Sequence, residues 1–125
     1  MIKLITTFEN ITGTEVRDCI CSNVIYFLVN PGKIALTIGK GGKTIKVAER
    51  LIKKSIKVFE WNEDEEQLIR NMIPNLQRLE VNQDSAVVTI ESKQKGAVIG
   101  KEGSNIKVIR GFLERNSHIK ELKVL

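Results

Sequence analysis

The feature that most constrains this chain is that it repeats itself. A shift of 61 residues lays Ile38–Val47 (IGKGGKTIKV) over Ile99–Val108 (IGKEGSNIKV) without a gap, and seven of the ten positions are identical. The match continues backward more faintly, with Ile25–Val29 over Ala86–Ile90 and Arg17 over Arg78. Two copies of one unit in 125 residues predict two small domains, 1–61 and 62–125. A unit of roughly 60 residues buries a low fraction of its surface, so the halves are expected to pack on each other.

Each half reads as the same series of elements. In the first, Ile2, Leu4, Ile5, Phe8 and Ile11 recur at helical spacing, and Gly13 is a natural stop. Val16–Cys21 and Val24–Val29 read as strands around a turn at Ser22-Asn23, and Asn30-Pro31-Gly32 breaks the second strand. A short helix over 33–38, a longer one over 43–54 and a strand over 56–61 complete the half. The second half repeats the order: a helix over 63–73 ending before Pro74, strands over 76–81 and 86–90, helices over 95–99 and 105–115, and a strand over 119–124. Asn62, with Glu65 three residues later, is the expected cap of its first helix. The fold class expected is α+β in two layers, with a three-stranded sheet packed against three helices in each half.

Between the second and third helix of each half lies a glycine-rich loop, Gly39-Lys40-Gly41-Gly42 and Gly100-Lys101-Glu102-Gly103. Glycine permits unusual φ angles and close backbone approach. The helix that follows presents unpaired N–H groups, which attract an anion. A lysine at the loop tip adds a mobile positive charge. A single such loop is adequately explained as a helix stop, but a stop needs one permissive residue and not the same Gly-Lys-x-Gly twice. The pattern therefore points to a sugar-phosphate backbone crossing both loops.

Charge supports this unevenly. From Lys33 to Lys57 there are eight basic residues, Lys43 and Lys46 among them, and one acid, Glu49. Ile45, Ala48, Leu51 and Ile52 are expected to form the apolar face of that helix, opposite its lysines. Around the second loop Lys101 and Lys107 remain, but Glu102 sits in the loop itself. Residues 1–61 carry ten bases and five acids, whereas residues 62–125 carry ten of each, so the whole net charge of +5 belongs to the first half.

Other chemistries are excluded or disfavoured. Gly42-Lys43-Thr44 resembles the end of a phosphate-binding P-loop, but the leading glycine would stand at position 37, which is Thr37. With His118 the only histidine, there is no nucleophile–base set, so no enzyme, cofactor or small-molecule substrate is expected. Cys19 and Cys21 lack the second pair that zinc requires, and are expected as reduced thiols packed in the core, in keeping with a cytoplasmic protein. No apolar run approaches a membrane span, and the first nine residues lack the basic and apolar regions of a secretory signal.

Ile38–Gly42 and Ile99–Gly103, each between helices in this element order, resemble the signature of the KH domain. The helix before the two strands resembles its type II arrangement. Together with the segment Val16–Cys21 (VRDCIC), the tandem pair resembles the archaeal NusA-like transcription factors. The resemblance implies two tandem type II KH domains that bind single-stranded RNA, with RNA polymerase as a partner and a role in termination or elongation of transcription. An RNA-binding adaptor in ribosome assembly or RNA processing, and a protein-interaction scaffold with degenerate RNA binding, are the alternatives. KH domains clamp about four nucleotides beside the GXXG loop. Here the resemblance implies that Gly39–Gly42 and Gly100–Gly103 take the phosphates, with Lys40 and Lys101 as counter-charges. Ile38, Ile45, Ile99 and Ile106 would line the base-contacting grooves.

Overall fold

The computed structural model describes residues 2–125, which divide into two compact units, the first ending at Trp61 and the second comprising Asn62–Leu125. The first unit runs α1 (Ile2–Thr12), β1 (Val16–Cys21), β2 (Ile25–Val29), α2 (Ile34–Ile38), a 3₁₀ turn at Lys40–Gly42, α3 (Lys43–Ile52) and β3 (Ile56–Glu60). The second runs α4 (Glu65–Met72), β4 (Leu76–Asn82), β5 (Ser85–Ile90), α5 (Ser92–Ile99), a 3₁₀ turn at Lys101–Gly103, α6 (Ser104–Asn116) and β6 (Glu121–Val124). In both, the first two strands pair antiparallel across a tight turn and the third joins parallel to the central one. Parallel pairing needs a long crossover, and the helix–loop–helix segment supplies it. The expected α+β fold, a three-stranded sheet with three helices per unit, is the one observed.

The sheets form around apolar central strands: all five residues of β2 are buried, whereas β5 alternates with a two-residue period. Ile25, Phe27 and Val29 face the helices and pack with Phe8, Cys19, Ala48 and Ile56, the Phe8 and Phe27 rings stacking at 3.8 Å. In the second unit Ala86, Val88 and Ile90 are buried, and alternate with half-buried Ser85, Val87 and Thr89. The first strand of each sheet carries a bulge, between Val16 and Asp18 opposite Val29 and Leu28, and between Leu76 and Arg78 opposite the equivalent Ile90 and Thr89. The bulge in β1 takes Arg17 out of the ladder. The Arg17 guanidinium then lies 3.5 Å over the Trp61 ring.

Side-chain hydrogen bonds fix the helices that carry the first loop. Thr12, Thr14 and Thr37 are buried, and a 2.9 Å bond joins the Thr37 and Thr14 hydroxyls. Thr37 also reaches the Lys33 carbonyl at 2.7 Å, and Thr12 donates to the Phe8 carbonyl at 2.9 Å. Thr37, which rules out the P-loop, is thus the residue that ties α2 to the end of α1. At the far end of α3 the Glu49 carboxylate accepts from the Ile56 N–H at 2.9 Å. The same position of the repeat is Arg110 in α6, which donates from Nε and Nη2 to the Leu122 carbonyl at 3.2 and 3.0 Å.

Several expectations from sequence are corrected. The cap of α4 is Asp64, whose side chain accepts from Glu66 N. Asn62 instead accepts from Asp64 N at 2.8 Å, forming a turn just ahead of the helix. Helix α3 stops at Ile52, because Lys53 adopts a left-handed φ of 65° and sends its N–H back to Glu49 O. Cys19 is buried, but Cys21, the last residue of β1, is exposed. Leu51 is not part of the apolar face of α3 but is 62% exposed.

Candidate nucleic-acid interface

The two loops share one backbone conformation. Gly39 and Gly100 have φ/ψ of 79°/166° and 77°/172°. Gly42 and Gly103 are left-handed at 77°/15° and 74°/14°. Between them Gly41 lies at 62°/21° and Glu102 at 57°/28°. Glu102 therefore accepts a left-handed conformation that Gly41 adopts without strain.

The first glycine is demanded by space as well as by torsion. A Cβ on Gly39 would stand 2.3 Å from Thr44 Oγ1 and 2.8 Å from both Thr44 Cβ and N. A Cβ on Gly100 would stand 2.8 Å from Asn105 Cβ and 2.9 Å from its N. The loop is thus folded tightly onto the start of the next helix. A Cβ on Gly41 would meet nothing within 4 Å, which is why the second copy can place a side chain there. Thr44 and Asn105 were missed by sequence reasoning. Their signal is a small polar residue two places after the last glycine in both copies. Asn105 is buried, and its Nδ2 donates to the Val98 carbonyl at 2.8 Å.

Helices α3 and α6 begin unlike α4. The start of α4 has a side-chain cap and two acids, Glu65 and Glu66, in its first turn. Neither α3 nor α6 has a side-chain cap or an acid in its first turn. Instead Lys43 and Lys46 stand at the start of α3 and Lys107 near the start of α6, all exposed. A cation at a helix N-terminus opposes the helix dipole. A bound anion would relieve both the missing cap and the misplaced charge. Lys40 and Lys101 at the loop tips are exposed as well.

The four isoleucines divide. Ile38 and Ile99, which lead into the loops, are 39% and 37% exposed. Ile45 is half-buried and packs against the core of its unit. Ile106 is only 6% exposed, so the expectation that it lines a groove is corrected: its position in α6 turns it into the core.

A family model for the KH domain matches residues 65–124. The probable transcription termination protein NusA of Methanocaldococcus jannaschii is 30% identical across 99% of this chain and 72% of its own length. That of Methanococcus vannielii is 31% identical across 99% and 76%. The chain belongs to the archaeal NusA-like family of KH proteins. The crystal structure of APE1850 superimposes with a TM-score of 0.77 at 28% identity, covering 99% of this chain and 96% of that one. Within the NusA-like chain the KH model spans the second unit, and the first unit reproduces its element order and loop torsions. Among the described residues no helix is long and apolar enough to cross a membrane.

Proposed function

We propose that this NusA-like chain is a non-enzymatic protein that binds single-stranded RNA through two KH domains, residues 1–61 and 62–125, and acts with RNA polymerase in termination or elongation of transcription. The observation that carries the reading is the repeated loop: the same torsions twice, each at an uncapped helix start with lysines where acids would be expected. The transcriptional role draws on the names of the relatives.

In this reading the backbone N–H groups of Gly39–Gly42 and Gly100–Gly103 take phosphates. Lys40, Lys43 and Lys46 neutralise charge at the first loop, and Lys101 and Lys107 at the second. Ile38, Ile45 and Ile99 meet the bases, and Ile106 supports its groove from beneath. The first loop dominates affinity, because Glu102 places a carboxylate where a phosphate would pass.

The test compares two double variants, Lys40→Asp with Gly41→Asp and Lys101→Asp with Glu102→Asp, for binding to single-stranded RNA. The first pair is expected to weaken affinity more, and to lower the slope of log K against log salt by about one for each phosphate no longer neutralised. Equal weakening, or a salt-independent affinity, contradicts the reading. Co-purification with RNA polymerase subunits supports the transcriptional role, and recovery in pre-ribosomal particles overturns it.

A further inference from the structure

Helix α3 carries a surface that the loop does not use. Val47 and Leu51, one turn apart, are 37% and 62% exposed. The same two positions of the repeat in α6 are Val108 and Phe112, which are 3% and 0% exposed. One helix face is therefore covered in the second unit and left open in the first, although it stays apolar in both. At 100° per residue, Arg50 borders the Val47–Leu51 row, and Lys54 follows two residues beyond the helix end, with its Nζ 3.5 Å from the Ser22 carbonyl; both are exposed. The single acid of the helix, Glu49, points to the opposite side, where it holds the Ile56 N–H.

We propose that this face docks an acidic amphipathic helix of a partner protein, whose leucine-type residues cover Val47 and Leu51 while its carboxylates meet Arg50 and Lys54. Charge complementarity selects the occupant. RNA would satisfy the cations but has no use for two aliphatic side chains at helical spacing, whereas an apolar row with a basic rim suits helix-on-helix recognition. Leu51 lies about 13 Å along the helix from Gly42 by helical rise, far enough for protein and RNA to bind separately.

The test titrates the full chain with a fluorescent synthetic peptide of glutamate and leucine, the leucines at three- and four-residue spacing, alongside a version with lysine for glutamate. The acidic peptide is expected to bind, and the lysine version to bind far more weakly. Val47→Ser with Leu51→Ser should weaken peptide binding about tenfold while affinity for oligouridine is unchanged. Arg50→Glu with Lys54→Glu should weaken it similarly. Circular dichroism checks folding, and Leu51→Gln alone serves if the double serine variant is unstable. Failure of the acidic peptide to bind at millimolar concentration overturns the proposal, as does binding indifferent to these substitutions. Weakened oligouridine affinity in the serine variant would assign the face to RNA. Self-association of the wild type that the serine variant abolishes would assign it to a second copy of the chain, and either result also overturns the proposal.

Discussion

Replacing Gly39 by alanine separates what the loop needs for folding from what it needs for binding. The native φ/ψ of 79°/166° falls in a region essentially confined to glycine, and forcing another residue there costs about 1–3 kcal/mol. The new methyl would also lie 2.3 Å from Thr44 Oγ1 and 2.8 Å from Thr44 N. The hydroxyl can rotate away, but the backbone nitrogen moves only with the start of α3. Overpacking of that kind adds about 1–3 kcal/mol. At their midpoints the two costs sum to about 4 kcal/mol, within reach of the whole stability of a small unit. Gly41→Ala is the control. Its φ of 62° carries a left-handed penalty of about 1 kcal/mol, with open space around the added methyl. In a urea titration with a slope of about 2 kcal/mol/M, the midpoint of Gly39→Ala should fall about 1 M or more below that of Gly41→Ala. Equal midpoints would refute the claim that the close approach of Thr44 fixes the first glycine.

Three further outcomes follow from other parts of the molecule. Glu102→Gly should stabilise the second unit by about 1 kcal/mol in the same titration by relieving its φ of 57°, and should raise RNA affinity by removing a carboxylate from the loop. Glu49→Ala should destabilise the first unit by about 1–3 kcal/mol in thermal or urea unfolding, because the buried Ile56 loses the acceptor for its N–H. A disulfide reagent at neutral pH should modify Cys21 promptly and Cys19 only after unfolding, since burial first, and then neighbouring Cys21 and Asp18, push the Cys19 thiol up to about 12. The folded chain then keeps a proton that an unfolded thiol gives up near 9.0, so this contribution to stability is full below pH 9 and declines as pH rises toward 12, a slope that Cys19→Ala should reduce.

What was legible in the sequence was whatever repeats or alternates. The 61-residue shift placed both loops, and the apolar runs Ile25–Val29 and Ala86–Ile90 placed both central strands. Element ends were less legible, because local interactions decide them. Ser92 rather than Lys95 begins α5, and a left-handed Lys53 ends α3 where no glycine marks the stop. Within the site, the glycines and lysines announced themselves by type. The roles of Thr44 and Asn105 did not, since they rest on a backbone approach that a string of residues cannot display. Ile106 and Leu51 exchanged their expected places for a related reason. Helical spacing gives the face a residue lies on, but not whether that face is covered.

At one position of the repeat the charge is inverted while the fold is kept. Glu49 and Arg110 do the same mechanical work, tying the helix after the loop to the closing strand. A backbone offers both a donor and an acceptor, so a side chain of either sign can make that tie. Glu49 takes the N–H of Ile56, and Arg110 takes the carbonyl of Leu122. The sign at this position is thus open to change while the fold is kept, and its consequence falls on the outer surface. In α3 the one acid is committed to the joint, leaving Lys43, Lys46 and Arg50 exposed together. In α6 the joint is made by a cation, so Arg110 is drawn toward β6 and Lys107 is left nearest the loop. Helices α3 and α6 each carry three bases and one acid, so the contrast in net charge between the halves arises elsewhere, chiefly from Glu63, Asp64, Glu65 and Glu66, and what differs on the two helices is where their cations stand.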